Sequence, residues 1–359
     1  MVAGLVAELG VRRPAFMLDL TLAAGPGEVV VLLGPNGAGK STALRTLAGL
    51  LPLDAGRIEV GGAVLADSAS GVHLPPHARP VGVVFQDYLL FPHLSVLDNV
   101  AFGLQAKGVR RSEARRRAST WLDRIGIAEL AGARPRSISG GQAQRVALAR
   151  TLATEPALLL LDEPLAALDA RTRLQVRTEL RRHLSGFAGA TVLVTHDPVD
   201  AAVLGDRLVV VEDGRVVQSG APTEVARHPR TDYVARLVGL NLLAGRAGGQ
   251  QVRLPTGGLV TVAEQHEGDV YAAFRPAAVA LFLARPAGSP RNVWPGRILG
   301  LEPHGDGVRV EVGGAPDPAG TLLAEVTPAA VAELGLVPGA EVWAAVKASD
   351  ITVYPRDSC

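Results

Sequence analysis

The nonapeptide Gly34-Pro35-Asn36-Gly37-Ala38-Gly39-Lys40-Ser41-Thr42 has the residue types and spacing that grip a polyphosphate. Its glycines let consecutive backbone N–H groups turn inward on phosphate oxygens, and a helix opening at Lys40 adds its positive N-terminus. Lys40 places a compact charge between the terminal phosphates, and the Ser41 hydroxyl is a ligand for Mg²⁺. Lysine is a scarce choice here: of 36 basic residues, only Lys40, Lys107 and Lys347 are lysines. A second set of groups lies at Leu158-Leu159-Leu160-Leu161-Asp162-Glu163. An apolar run that ends in two acids is costly unless a cation pairs with them, and a Mg²⁺ on the polyphosphate is such a cation. Asp162 then holds the metal, directly or through water. Glu163 polarises an attacking water, as general base or as orienting acceptor. Ser139-Gly140-Gly141-Gln142 supplies a hydroxyl, two flexible residues and a helix start, a pattern that suits an anion or an ordinary turn.

These groups need a scaffold that brings strand ends together. Val29 to Leu33, Val81 to Phe85, Leu158 to Leu161, Thr191 to Val194 and Leu208 to Val211 are continuous apolar runs suited to strands covered on both faces. Helical patterns separate them, from about Ser112 to Gly126 and from Gly141 to Ala153, the second closed by Pro156. The alternation predicts an α/β fold around a mostly parallel sheet over residues 1–235. The cluster Arg110, Arg111, Arg115, Arg116 and Arg117 reads as a solvated helix face. From about Leu240, Gly/Pro-punctuated alternating runs replace the helices. They predict a small all-β, barrel-like domain, or two sub-barrels meeting near Ser289. Residues 236–288 are expected to connect the two parts, and 289–355 to form the terminal β domain.

Length and composition bound the function. At roughly 100–200 residues per domain, 359 residues make two or three domains. With 36 basic against 35 acidic residues there is no global basic field, which argues against a nucleic-acid partner. No run approaches the roughly 18 uncharged apolar residues of a membrane span. The lone Cys359 builds neither a disulfide framework nor a Cys-based metal site, and the opening Met1-Val2-Ala3-Gly4-Leu5 lacks a signal-peptide layout, so a cytoplasmic chain is expected.

In their order along the chain these pieces resemble the ATP-binding subunit of ABC transporters, a P-loop NTPase cassette with a helical subdomain, over about residues 1–230. The resemblance implies ATP and Mg²⁺ as cofactors. It assigns Gln86 to the loop that senses Mg²⁺ and faces the membrane partner. Ser139, Gly140, Gly141 and Gln142 become the signature that contacts ATP held by the opposite subunit. Ala167-Leu168-Asp169 matches the D-loop, and His196, after Thr191 to Thr195, the histidine that contacts the γ-phosphate. No Tyr or Trp stands at the adenine-stacking position, for which Phe16 is the nearest aromatic. The implied assembly is a homodimer of ATPase subunits on two integral membrane permease subunits, served by a substrate-binding protein, at the cytoplasmic face of the membrane. The apolar segment Tyr88 to Val96 is core, or the groove that takes a helix of the permease.

Residues from about Ser289 to Pro355 resemble the TOBE, or molybdate-binding (Mop-like), β domain of importer ATPases. Ser289-Pro290-Arg291-Asn292 corresponds to a motif that reads Ser-Ala-Arg-Asn in oxyanion-binding relatives, with Pro290 in place of the alanine. With Lys347 and Ser349, Ser289, Arg291 and Asn292 form a candidate oxyanion site. The resemblance implies an importer ATPase with molybdate or tungstate as cargo, ahead of sulfate, ferric iron, polyamine or sugar. A non-transport ABC ATPase and an oxyanion storage protein are the remote alternatives.

Overall fold

A computed structural model describes residues 4–14, 16–166, 168–316 and 320–356. Ala167, Cys359 and the first three residues, named above, lie outside that set. The described chain falls into two compact units that divide between Val225 and Ala226.

In the first unit, β1 (Leu5–Arg13) and β2 (Phe16–Ala24) form a hairpin that leads into β3 (Val29–Leu33) and α1 (Lys40–Leu47). Strands β4 (Ala55–Val60), β5 (Ala63–Asp67), β6 (Val72–His73) and β7 (Val81–Val84) follow. Then come the helices α2 (Val96–Ala106), α3 (Arg111–Arg124) and α4 (Gly140–Leu152). The unit continues through β8 (Leu158–Asp162), α5 (Ala170–Ser185), β9 (Ala190–Val194), α6 (Pro198–Leu204), β10 (Arg207–Glu212) and β11 (Arg215–Gly220). A last helix, α7 (Pro222–Arg227), carries the division between the units.

Two sheets result. One is antiparallel, in the order β2-β1-β4-β5-β6; the other runs β11-β10-β3-β9-β8-β7 and is parallel except for the edge strand β11. The five apolar runs read from the sequence are five of its six strands. Every residue of β3 and β9 is buried, as are the four leucines of β8, because helices or the second sheet cover both faces. Helix α1 packs Ala43, Leu44 and Leu47 into the core that joins β1 and β2 to β3, β8 and β9. A satellite core holds α2, α3 and α4 together, and the α3 residues Ala114, Ala118 and Leu122 recur every fourth position on its buried side.

The second unit contains α8 (Asp232–Leu237), β12 (Asn241–Arg253), β13 (Leu259–Phe274), β14 (Ala280–Phe282), β15 (Asn292–His304), β16 (Gly307–Gly313), β17 (Thr321–Val326), α9 (Pro328–Leu334), β18 (Glu341–Val346) and β19 (Thr352–Pro355). They form two antiparallel sheets, β12-β13-β19 and β14-β18-β15-β16-β17. The chain does not split into sub-barrels near Ser289. One core takes Val260, Val270 and Phe274 from the first sheet with Ile298, Val310 and Ala344 from the second, and β19 returns to pair with β13. Residues 236–288 therefore belong to the same folded body as 289–355, and are not a connector to it.

Buried asparagines tie this unit across its sequence. Asn241 bridges Leu323, donating to its carbonyl at 2.9 Å and accepting from its N–H at 2.8 Å. Asn292 does the same to Thr261, at 2.8 and 2.7 Å. Each side chain satisfies a backbone donor and acceptor that pairing leaves open, as buried polar groups require.

Candidate functional site

The polyphosphate loop sits where β3 ends and α1 begins. Backbone crowding explains its glycines: a Cβ on Gly34 would lie 2.1 Å from the Val211 carbonyl oxygen, and one on Gly39, where φ is +103°, would lie 2.5 Å from Cζ of Phe16. The Phe16 ring thus lies against the loop, half-buried beside Leu18. Lys40 is buried, and its ammonium donates to the carbonyls of Gly34 at 2.7 Å and Pro35 at 2.8 Å. Burial holds its pKa below the ordinary lysine value, against the opposing pull of Glu163 and Asp162. The first turn of α1 carries no acidic residue and no side-chain cap, so its N–H groups are free for an anion. Ser41 is exposed and Thr42 half-buried beside it.

The acid pair stands at the end of β8. Desolvation pushes the Asp162 carboxyl above the usual aspartate value, and Glu163 adds to this, while Arg45 and Lys40 pull the other way. Glu163 adopts a left-handed backbone with φ of +45°, fixed by its N–H donating 2.9 Å to the Val194 carbonyl on β9. That turn brings its carboxylate 3.2 Å from Nδ1 of His196, which follows the end of β9. The structure therefore unites the loop, both acids and the histidine at one end of the parallel sheet. A strained non-glycine residue at the end of a buried strand marks a position held for geometry.

The remaining positions frame this end. Ser139 caps α4 in a reciprocal box: its Oγ accepts from the Gln142 N–H at 3.3 Å while Gln142 Oε1 accepts from the Ser139 N–H at 2.9 Å. Because the hydroxyl accepts in that bond, its own hydrogen is left to donate outward. Asp169 caps α5 by accepting from the Thr172 N–H at 3.1 Å, contacts that hold its carboxyl below the usual range. Gln86 is exposed, two residues beyond β7.

Sequence reasoning missed the arginines that set these pieces. Arg150, near the end of α4, donates to the carbonyls of Tyr88 at 2.8 Å and Leu89 at 2.7 Å, so the helix that starts at Ser139 also fastens the loop after Gln86. Both loop residues have positive φ, 57° and 44°. Arg173 and Arg177 on α5 reach Asp197 at 3.2 Å and Asp200 at 2.5 Å on the α6 side, which anchors the chain around His196. Buried Arg79 donates to the carbonyls of Thr46 and Leu47 at the end of α1, at 3.1 and 2.9 Å. The spacing of four between Arg173 and Arg177, facing Asp197 and Asp200, was a readable signal. Arg79 and Arg150 had none in a chain so rich in arginine.

In the second unit, Asn292 opens β15 opposite Val346 on β18, so Arg291 and Lys347 lie at the same sheet end, both exposed, as are Ser289, two residues before Arg291, and Ser349, two residues after Lys347. Asn292 is not free to join them. Its amide is buried and bonded through both Oδ1 and Nδ2 to the Thr261 backbone, a correction to its expected part in an oxyanion site.

The ABC transporter family model matches residues 17–166, which span the loop, the Gln86 segment and the acid pair, and the TOBE domain model matches residues 288–353. Over 353 residues the chain is 41% identical to the molybdenum import ATP-binding protein ModC of Mycobacterium tuberculosis, covering 94% of each. This chain belongs to the ABC transporter ATP-binding family. It is also 37% identical over 333 residues to the molybdate/tungstate import ATP-binding protein WtpC of Pyrococcus horikoshii, covering 92% of this chain and 93% of that one. The Fe(3+) ions import ATP-binding protein FbpC of Streptomyces avermitilis is 40% identical over 343 residues, with 93% and 97% covered. Among solved structures, the chain resembles a dimeric post-hydrolysis state of an ATP-binding cassette bound to ADP and Pi, with a TM-score of 0.51 and 28% identity over 61% of this chain and 98% of that one. Membership of this family gives the chain ATP binding and ATP hydrolysis coupled to import.

The raised Asp162 pKa has a consequence that can be measured. Ionised Asp162 destabilises the nucleotide-free fold, so Asp162→Asn should raise its melting temperature at neutral pH. The gap should shrink as pH falls below the raised Asp162 pKa and close at the ordinary aspartate value, where Asp162 is neutral in both the folded and the unfolded chain. Thermal melts across pH check this, and the same variant should lose the Mg²⁺-dependent part of its ATP affinity.

Proposed function

We propose that the chain is the ATP-hydrolysing subunit of an importer for molybdate or tungstate. The observation that carries the cargo assignment is the full-length similarity to ModC, which extends through the TOBE domain.

Hydrolysis follows from the groups at the sheet end. The backbone N–H groups between Asn36 and Ser41, with Thr42 beside them, cradle the β- and γ-phosphates, and Lys40 exchanges the carbonyls of Gly34 and Pro35 for phosphate oxygens. Asp162 is half-buried at a raised pKa, and no group of three or more His, Cys, Asp or Glu that could hold a metal stands among the described residues, which suits a cation shared with phosphate rather than a dedicated protein cage. Ser41, Asp162 and Gln86 would hold Mg²⁺, and the ion supplies charge neutralisation of the phosphates. Glu163 takes the proton of the attacking water, and His196, 3.2 Å from it, orients that water and the γ-phosphate. Phe16, half-buried against Gly39, is the aromatic nearest the loop for stacking on the adenine.

Each chain carries one phosphate loop and one signature, Ser139 to Gln142. Two chains facing each other complete two sites, with the outward-donating Ser139 hydroxyl and the α4 N-terminus on the partner's γ-phosphate and Asp169 beside the seam. The membrane contact lies on the exposed apolar surface around Leu89 and Phe102, with the Phe91 ring tilted against that of Phe102 at 4.4 Å between centroids. Arg150 transmits its movement to the signature helix. The permease lies in the membrane, a substrate-binding protein delivers cargo outside, and this chain sits on the cytoplasmic face; none of its described helices is long and apolar enough to cross a membrane.

The strand-end set Ser289, Arg291, Lys347 and Ser349 senses the cargo oxyanion through a guanidinium, an ammonium and two hydroxyls. Calorimetric titration should give selective binding of molybdate or tungstate over sulfate, weakened at least about tenfold by Lys347→Ala with Ser349→Ala and with ATP binding intact. No binding of any of the three would remove the oxyanion reading and favour a cargo such as that of the ferric-iron relatives. For the membrane contact, Leu89→Asp should preserve ATP binding and abolish co-purification with the permease; an intact complex would exclude this surface.

A further inference from the structure

At the opposite end of the parallel sheet from the phosphate loop lies a cleft of about 510 Å³, in the size range of small-molecule sites. Its walls are the rings of Trp121 and Phe187 with Leu152 and Pro156, and its floor reaches Ala157 and Ala190, which adjoin or begin β8 and β9. Those two strands end at Asp162 and Val194, so the cleft and the ATP site are separated by the length of the strands.

Two charged groups line it, Arg124 and Glu155. Glu155 lies within electrostatic reach of Arg117, whose ion pair is with Glu113. The Arg124 guanidinium lies 5.0 Å from the Trp121 ring centroid and belongs to none of the ion pairs among the described residues. The cleft therefore presents an apolar, aromatic lining and one cation that is outside any ion pair among the described residues, a combination that selects for an aromatic body bearing a single negative charge.

We propose that this cleft is a second ligand site of the cassette, which takes an aromatic carboxylate or sulfonate with its ring between Trp121 and Phe187 and its anionic group on Arg124. The site is independent of nucleotide, and the proposal does not rest on the cargo assignment. A ligand there touches the starts of both strands whose far ends carry Asp162, Glu163 and His196, so its occupancy bears on the element that presents the catalytic groups.

The test uses the full chain and two fluorescent probes with the same body, the anionic 8-anilinonaphthalene-1-sulfonate and the neutral N-phenyl-1-naphthylamine. The anionic probe should saturate one site, bind at least about tenfold tighter than the neutral one, and stay bound at saturating ATP and Mg²⁺. Arg124→Gln should erase the difference between the probes, and Ala188→Trp, which narrows the mouth, should weaken both. Each variant should keep wild-type ATP affinity, which verifies its fold. Equal affinity for the two probes in the wild-type chain, displacement of the anionic probe by ATP, or failure of either substitution to weaken it would each overturn the proposal.

Discussion

The structure depends on placing ionised groups at the end of a sheet that is otherwise dry. Strands β3, β8 and β9 are buried along their whole apolar length, and a charge at their ends loses much of its hydration. The fold answers by bringing opposite charges to the same place. Lys40 is fed by two carbonyls and lies in the field of Asp162 and Glu163, and the acids lie in the field of Lys40 and, for Asp162, Arg45. The compensation is incomplete, as the raised Asp162 pKa records. An incompletely neutralised acid beside free helix N–H groups favours a ligand that carries phosphate and metal together.

A second consequence is mechanical. The groups that complete the site are tied to long elements rather than to loose loops. Helix α4 begins at the Ser139 capping box and, through Arg150, ends by holding Tyr88 and Leu89 in strained backbone. One helix of 13 residues thereby connects the segment at Leu89 with Ser139 to Gln142. On the other side, the ion pairs from Arg173 and Arg177 to Asp197 and Asp200 fix the start of α6 and with it His196. The chemistry is held by a few arginines whose job is positional.

The cassette was legible because its signals are local. A Gly-rich nonapeptide after an apolar run, and an acid pair after another, carry their meaning within a few residues, and five apolar runs became five strands of one sheet. The second unit was harder to read because its decisive contacts are remote in sequence. The return of β19 to β13 and the bridge from Asn292 to Thr261 are set by register, which alternating runs alone do not specify. Asn292 was grouped with ligands on residue type, and pairing assigned it to the backbone. Arg79 and Arg150 were invisible for a related reason: in an arginine-rich chain the residue type does not separate a solvated guanidinium from one that holds carbonyls.

The account stands on Glu163 as the group that takes the proton from water while Lys40 and the loop hold the nucleotide. The most direct measurement is ATP turnover and ATP binding by the Glu163→Gln chain in the presence of Mg²⁺. The account predicts turnover lower by about 10²- to 10⁴-fold with ATP affinity unchanged and ATP retained in a stable dimer. Turnover close to that of the unaltered chain, or loss of ATP binding, would contradict it.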